Sequence, residues 1–183
     1  MGSGKTTVGK RLAAKLDRPF VDADEALEER AGRSIAEVFA DDGEEAFRDL
    51  ETKVLAELLE RDDAPVIASG GGVVVREANR ALLTDTPDVL VVWLNAAPAF
   101  LASRVEQKEQ KAHRPLLGGD ESPREVLQRL HAERSPLYDE VADLEVDVQP
   151  YHEGFDKPKR AMAEDLADHV LDWERQPWNG ADA

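Results

Sequence analysis

The sequence predicts a single-domain α/β fold in which helices cover both faces of a central parallel sheet. Three observations support this prediction. A glycine-rich start runs directly into a helical pattern, and short apolar segments alternate with helical segments along the chain. In addition, residues 88–94 are all apolar except Asp88. A continuous apolar strand is typical of a parallel sheet that is buried on both faces. Strands that alternate with helices indicate βαβ units, which build a three-layer α/β/α domain.

The first nine residues, MGSGKTTVG, contain the second half of a phosphate-binding loop. In such loops glycine-rich backbone wraps phosphate oxygens, the lysine reaches the β- and γ-phosphates, and the next hydroxyl binds Mg²⁺. These roles fall on Gly4, Lys5 and Thr6. The complete pattern has an earlier glycine, so we expect that glycine and the strand before it to lie upstream of Met1; a sheet without that strand is the alternative. Alone, the three residues could equally mark an ordinary glycine turn.

The composition is that of one soluble domain. The 183 residues are 42% hydrophobic, which is enough for one core and little for two. The absence of cysteine excludes disulfides and suits a reducing cytoplasm. No apolar run approaches the ~20 residues of a membrane span and no signal peptide is recognised, so we expect a cytoplasmic protein. The net charge of −16 disfavours nucleic acid and anionic membranes as partners, so local arginines must attract any anionic ligand.

Helical periodicity, capping residues and short apolar runs divide the chain into elements. The predicted helices are 6–17, 25–31, 34–41, 47–58, 79–83, 98–105, 122–134 and 157–171, and the predicted strands are 19–21, 65–69, 88–94 and 144–148. Gly43 is expected to break one helical run, and Ser135-Pro136 is expected to interrupt another. The last strand alternates apolar and polar residues, as an edge strand does.

Two segments lack an apolar period. Residues 106–121 are rich in charged residues and paired glycine, which predicts a mobile loop, and residues 173–183 predict a flexible tail. The sequence therefore predicts one domain over residues 1–172.

Charged residues and glycines follow the predicted strands at 19–21 and 65–69. Asp22 and Asp24 follow the first of these strands, and Gly70-Gly71-Gly72 follows the second. Ligands of parallel sheets bind beyond the carboxyl ends of the strands, so we expect both segments in one crevice. Asp22 could bind a metal ion, directly or through water, and Asp24 could accept a hydrogen bond from an acceptor hydroxyl. Taken separately, the segments could be solvated turns, and Arg48 could form a surface ion pair.

Seven segments together resemble the shikimate kinase family, a branch of the P-loop kinases. They are GSGKTTVG at 2–9, DAD at 22–24, GRSI at 32–35, GEEAFR at 43–48, SGGG at 69–72, RPLL at 114–117 and RSPLY at 134–138. Each segment is weak alone, but their order over residues 2–138 is specific.

The resemblance implies the P-loop kinase fold with a mobile lid at about 106–121, and transfer of the γ-phosphate of ATP, with Mg²⁺, to the 3-hydroxyl of shikimate. It implies ATP binding by Gly2, Ser3, Gly4, Lys5, Thr6, Thr7, Arg104 and Arg114, with Lys5, Asp24 and Arg114 as catalytic residues. Asp24 would act as the base, Arg48 and Arg134 would hold the shikimate carboxylate, and Gly70, Gly71 and Gly72 would line its site. Thr6 and Asp22 would hold Mg²⁺. We expect a monomer.

Two further departures from the family pattern and two alternatives accompany this interpretation. The lid is longer and more charged than usual, and residues 149–154 align poorly with the adenine-contacting stretch, so no adenine-loop residue is assigned there.

Another small-molecule kinase, such as gluconate kinase or a nucleotide kinase, shares the phosphate loop and lid but not the combination of Phe47-Arg48 with the triple glycine. A non-catalytic nucleotide- or shikimate-binding paralogue is the second alternative.

Overall fold

The computed structural model describes residues 2–109 and 122–175. Within them, helices and short strands follow the predicted order, except that the predicted helices 34–41 and 47–58 lie in one element and a helix at 149–154 was not predicted. The helices are α1 Lys5–Leu16, α2 Ala23–Ala31, α3 Ile35–Leu59, α4 Glu77–Asp85, α5 Pro98–Glu109, α6 Pro123–Val141, α7 Gln149–Gly154 and α8 Pro158–Arg175, and the strands are β1 Phe20–Asp22, β2 Val66–Ala68, β3 Val92–Asn95 and β4 Leu144–Asp147. A 3₁₀ turn, Val73–Val75, follows β2.

The strands form two parallel pairs, β1 with β2 and β3 with β4. Asp22 lies opposite Ala68 in the first pair, and Asn95 lies opposite Asp147 in the second. No strand within the described residues joins the two pairs. Because parallel strands point the same way, the residues that follow β1 and β2 emerge at the same edge. The register therefore brings the carboxylates after β1 close to the glycines after β2.

Helices cover both faces of these strands. Val66 of β2 packs with α1 and α8 in one apolar cluster, whereas the next residue, Ile67, packs with α2 and α3 in another. Successive side chains of a strand point to opposite faces, so this alternation places a helical layer on each side. A third cluster joins α3, α4 and α6 near Val91. The predicted three-layer α/β/α architecture is confirmed.

Capping residues begin and end the helices largely where the sequence predicts. Ser34 forms a complete capping box with Glu37 at the start of α3, and Ser122 forms another with Glu125 at the start of α6. Gly32 ends α2 at φ 67°. Gly43 has φ 84° and ψ 176°, so it interrupts the helical backbone of α3 at the predicted break. Such a positive φ favours glycine because a Cβ would clash with the backbone.

The expected interruption of α6 at Ser135-Pro136 is wrong. The helix continues through Pro136 to Val141. Proline cannot donate a backbone hydrogen bond, and in a helix interior this costs ~3 kcal/mol. The Ser135 hydroxyl donates to the His131 carbonyl at 2.7 Å, which adds a bond beside the gap. Buried packing of Val141 holds the last turns in place, so tertiary contacts override the local signal.

The ends of the two irregular segments differ from the prediction by a few residues. Residues 106–109 are the last residues of α5, and residues 173–175 are the last residues of α8. The rest of the expected lid, with Arg114, and the rest of the expected tail lie outside the described residues. Over the ranges that the structure describes, no helix combines the length and apolar character that a bilayer crossing requires.

Gly9 sets the distance between α1 and β1, which suggests a test of the packing. A Cβ at Gly9 would lie 2.8 Å from Cε2 of Phe20, closer than carbon atoms approach. We expect Gly9→Ala to lower the free energy of unfolding by ~1–3 kcal/mol, since overpacking outweighs the better helix propensity of alanine. Chemical denaturation measures the change. Gly154→Ala is the control, because a methyl group there would meet nothing within 4 Å beyond its own helical turn; equal stability of both variants would contradict the packing argument.

Candidate active site

The phosphate loop leads into the amino terminus of α1. Gly4 precedes the helix with φ 100°, a conformation that favours glycine, and Gly2 has φ 81°. Lys5 is the first helical residue, and no side chain caps the helix start. Ser3 is buried, with 6% of its surface exposed. The first N–H groups and the dipole of α1 therefore face the loop, as an anion-binding site requires.

Thr6 and Asp22 join the phosphate loop to the end of β1. The Thr6 hydroxyl donates to Asp22 Oδ2 at 3.0 Å, and the other Asp22 oxygen accepts from the Asp24 N–H at 3.1 Å. A hydroxyl and a carboxylate are the hard oxygen ligands that Mg²⁺ prefers. Over residues 2–105 and 122–175, no group of three or more His, Cys, Asp or Glu side chains could hold a metal. A Mg²⁺ ion here would thus need phosphate or water oxygens as well.

A pocket lies beside this junction, between α2, α3 and the residues after β2. Asp24, Leu27, Glu51, Ser69 and Gly70 are among its lining residues. A Cβ at Gly70 would lie 3.0 Å from Asp24 Oδ1 and 3.5 Å from Glu51 Oε1. The backbone of Gly70 therefore approaches two carboxylates so closely that a larger residue would crowd them. The structure brings Asp24 close to the glycine run at residues 70–72, as the sequence predicts.

Arg48 extends from α3 to the same glycine run. Its Nη1 donates to Glu51 Oε2 at 2.8 Å and lies 3.4 Å from the Gly72 carbonyl. A Cβ at Gly72 would lie 2.6 Å from this nitrogen, so the guanidinium occupies the space that a side chain would need. Only 11% of each of the Arg48 and Glu51 side chains is exposed. The two residues therefore form a largely buried ion pair rather than the surface pair that Arg48 alone could indicate.

Glu51 is a charged residue of the pocket that the sequence did not single out. Burial raises the pKa of its carboxyl above the ordinary value, the hydrogen bond and charge of Arg48 partly offset this rise, and the charge of Asp24 adds to it. Three residues separate Arg48 and Glu51 on α3, a spacing that places both on one helical face. This spacing is the feature of the sequence from which the contact between Arg48 and Glu51 could have been predicted.

Arg134 reaches the glycine run from α6. Its Nη1 donates to the Gly71 carbonyl at 2.8 Å, and the Tyr138 hydroxyl donates to the same oxygen at 2.6 Å. The two guanidinium groups of Arg48 and Arg134 thus contact successive carbonyls, those of Gly72 and Gly71. The two arginines therefore reach the predicted glycine segment from two different helices.

Arg104 lies on α5, on the phosphate-loop side. Its Nε donates to the Gly2 carbonyl at 2.9 Å, its Nη1 is 3.0 Å from Nδ1 of His152, and its guanidinium carbon is 5.5 Å from the centroid of the Phe100 ring. Burial lowers the pKa of this guanidinium. Arg104 thus packs against the loop that begins the site. His152, on α7, was not predicted from the sequence, since the stretch around it matched no pattern.

The contacts above link the described site residues into two adjoining groups, which we call the two ends of the crevice. The phosphate loop, Thr6, Asp22 and Arg104 form one end, and Asp24, Arg48, Arg134 and the glycine run form the other. The predicted lid residue Arg114 lies outside the described residues. A phosphate loop next to a pocket lined by carboxylates, with two arginines on the adjacent glycine run, defines the class of protein as an α/β phosphotransferase of the P-loop kinase type.

Comparisons with known proteins give the family. The family model described as shikimate kinase matches residues 1–172. A curated shikimate kinase of Symbiobacterium thermophilum is 46% identical over 147 residues, which cover 80% of this chain and 81% of the relative. A solved structure of the Acinetobacter baumannii shikimate kinase in complex with shikimate has a TM-score of 0.81 and 34% identity, and covers 96% of this chain and 91% of that chain. The chain belongs to the shikimate kinase family, which confirms the resemblance.

A gluconokinase structure from Sinorhizobium meliloti also matches, with a TM-score of 0.54 and 18% identity over 96% of this chain and 93% of that chain. At that identity the likeness shows the shared fold alone. The gluconate kinase alternative therefore gains no support beyond the fold.

The contact between Arg104 and His152 leads to a testable titration. Burial, then the charges of Arg104 and Lys159, lower the pKa of His152 below 6.5. The folded state therefore disfavours the protonated ring: the stabilising contribution is complete above pH 6.5 and is lost as the pH falls through the lowered pKa. NMR titration, with His152→Gln to assign the signal, should give a midpoint below 6.5. Arg104→Gln should raise that midpoint. A midpoint at or above 6.5 in the parent chain would contradict the contact.

Proposed function

We propose that this chain is a shikimate kinase, which transfers the γ-phosphate of ATP to the 3-hydroxyl of shikimate and yields shikimate 3-phosphate and ADP, a step of aromatic amino-acid biosynthesis. One observation carries the proposal. Arg48 and Arg134 converge on the glycine run beside Asp24, next to a phosphate loop, in a chain of the shikimate kinase family. Two guanidinium groups at one end suit a carboxylate-bearing acceptor, and the loop at the other end suits a nucleotide.

The donor end would bind ATP through the phosphate loop. The backbone of Gly2, Ser3, Gly4, Thr6 and Thr7 and the ammonium of Lys5 would contact the phosphates, and Arg104 would lie near the adenine. Mg²⁺, when bound with ATP, would neutralise phosphate charge between the two substrates. Thr6 and Asp22 would hold it, with Asp22 bound directly or through water; their 3.0 Å hydrogen bond puts two hard oxygen ligands side by side.

The acceptor end would hold shikimate by its carboxylate and hydroxyls. Arg48 and Arg134 would bind the carboxylate, and the backbone of Gly70, Gly71 and Gly72 would line the site. Asp24 would accept a hydrogen bond from the reacting hydroxyl and take its proton as the bond to phosphorus forms. Glu51 would keep Arg48 oriented through the 2.8 Å contact. Little covalent work is asked of the protein, because phosphoryl transfer depends mainly on positioning and charge.

The proposal also gives a role to Arg114, beside Lys5, and a cellular compartment to the chain. Arg114, with the lid at about 106–121, would bring a further cation to the transferring phosphoryl group beside Lys5 and exclude water, which would otherwise compete as acceptor. We also propose that the chain acts as a monomer in the cytoplasm. The absence of cysteine supports a reducing compartment, and the net charge of −16 argues against nucleic acid or anionic membranes as partners.

The direct test is Mg²⁺- and ATP-dependent phosphorylation with three acceptors in parallel: shikimate, gluconate and AMP. We expect turnover with shikimate alone, because only it offers a carboxylate to the arginine pair together with a ring hydroxyl near Asp24. Coupled detection of ADP measures the rate. Turnover with gluconate or AMP instead would reassign the acceptor. Tight binding of shikimate or ATP by calorimetry, without turnover, would favour the non-catalytic paralogue.

Asp24→Asn tests the role of the proposed base. We expect kcat to fall by about 10²- to 10⁴-fold, the usual contribution of a positioned base, while ATP binding stays unchanged because the phosphate loop is untouched. Steady-state kinetics and nucleotide titration measure the two effects. Asp168→Asn is the matched control, because it removes the same charge from a residue that is exposed on α8. An unaffected kcat in Asp24→Asn would remove this residue from the mechanism.

A further inference from the structure

Tyr138 is held at the acceptor end of the crevice by contacts on both of its sides. It lies on α6, one helical turn after Arg134, so the two side chains share a face. The ring stacks on Trp93, with centroids 5.2 Å apart and an angle of 23° between the planes. It also packs against an apolar cluster that includes Val73 and Val141. The phenol is therefore fixed in direction before any ligand binds.

The Gly71 carbonyl receives two hydrogen bonds from α6. The Tyr138 hydroxyl donates at 2.6 Å and Arg134 Nη1 donates at 2.8 Å. A carbonyl oxygen has two lone pairs, so this pair of donors fills its capacity. A Cβ at Gly71 would lie 3.6 Å from the Tyr138 hydroxyl, which confirms how closely the phenol approaches the backbone here.

The two donors, Tyr138 and Arg134, differ in charge and in the number of further hydrogen bonds that they can donate. Burial raises the pKa of the Tyr138 hydroxyl above its ordinary value, although the charge of Arg134 lowers it in part, so the phenol stays a neutral donor near neutral pH. Arg134 keeps its positive charge and has several N–H groups. A carboxylate ligand would attract the guanidinium strongly and the phenol only weakly.

We propose that Tyr138 is a positioning residue that keeps the Gly71 carbonyl hydrogen-bonded when Arg134 turns toward the acceptor carboxylate. This inference rests on the proposed function for the identity of the acceptor. With Tyr138 in place, Arg134 can leave Gly71 without leaving its oxygen unpaired, and the glycine run keeps its shape. Without the hydroxyl, Arg134 is the one remaining donor of the pair, and binding of the carboxylate must break its bond.

Tyr138→Phe removes the hydroxyl and keeps the aromatic ring against Trp93. We expect the KM for shikimate to rise about tenfold, the factor that corresponds to ~1.4 kcal/mol, in line with a lost hydrogen bond to an acceptor left without a partner. We expect kcat to change by less than about twofold and the KM for ATP to stay the same, because the phosphate loop and Asp24 are untouched. Near-ultraviolet circular dichroism should show the Trp93 environment unchanged.

Tyr151→Phe is the matched control. Tyr151 also donates a hydroxyl hydrogen bond, to Asp165 at 2.8 Å, but it lies on α7 and takes no part in the acceptor end. We expect its KM for shikimate to equal that of the parent chain. A rise equal to that of Tyr138→Phe would mean that loss of any tyrosine hydroxyl weakens the enzyme, and would overturn the proposal.

An acceptor analogue separates positioning of Arg134 from a general structural effect. In the analogue the carboxylate of shikimate is replaced by a primary alcohol, so Arg134 has no anion to bind. We expect Tyr138→Phe to reduce kcat/KM for shikimate about tenfold more than for the analogue. Equal loss with both acceptors would show that Tyr138 acts on the fold of the site rather than through Arg134, and would overturn the proposal.

Hydrogen exchange distinguishes failure of this inference from failure of the proposed function. If the parent chain does not phosphorylate shikimate, the proposed function fails, whatever Tyr138 does. Without any ligand, the proposal still requires faster amide exchange at residues 70–72 in Tyr138→Phe than in the parent chain, because the run loses one of its two ties to α6. Unchanged exchange would overturn the role of Tyr138 whether or not the parent chain is active, and turnover of shikimate by the parent chain would leave the proposed function standing.

Discussion

The close approach of charged side chains to the glycine run after β2 is the constraint on which the site depends. Side chains at Gly70 or Gly72 would meet Asp24 or Arg48 at 3.0 Å or less. The glycines therefore leave room for charged groups from α2 and α3, and Gly71 and Gly72 present their carbonyls to two arginines. The parallel register of β1 and β2 makes this possible, because it brings the end of each strand to the same edge. The phosphate loop contacts this edge through Thr6 and Asp22.

Positively charged side chains gather around the site of a strongly acidic chain. The net charge is −16, yet Arg48 and Arg134 both contact the glycine run, and Arg104 contacts Gly2 of the loop that contains Lys5. Glu51, which lines the pocket, balances the charge of the adjacent Arg48, and this pairing limits the cost of burying a guanidinium. Distant surface carboxylates are screened over about 8–10 Å at physiological salt, so the charge near the glycine run depends mainly on its own neighbours, which are Arg48, Arg134, Asp24 and Glu51.

Much of the fold follows from local patterns. The capping boxes at Ser34 and Ser122 and the left-handed Gly32 depend on residues within one helical turn, so the sequence predicted them correctly. Pro136 shows the limit of such reasoning. Its local effect is to break a helix, but the contacts of α6 with the rest of the protein, among them those of Arg134 and Tyr138 with Gly71, favour a continuous helix. Long-range contacts of this kind leave little trace in neighbouring residues.

The sequence by itself determined the class of site: a glycine-lysine-threonine loop, carboxylates after one strand, glycines after another, and arginines in a fixed order. These features are set by residue type and spacing, which physical chemistry links to phosphate, metal and carboxylate binding. The tertiary structure decided which distant partners meet. The spacing on α3 already allows Glu51 to face Arg48, but the structure shows in addition that Tyr138 shares the Gly71 carbonyl with Arg134 and that His152 contacts Arg104. The last two contacts join residues far apart in the chain, and such pairings arise only when helices pack on the sheet.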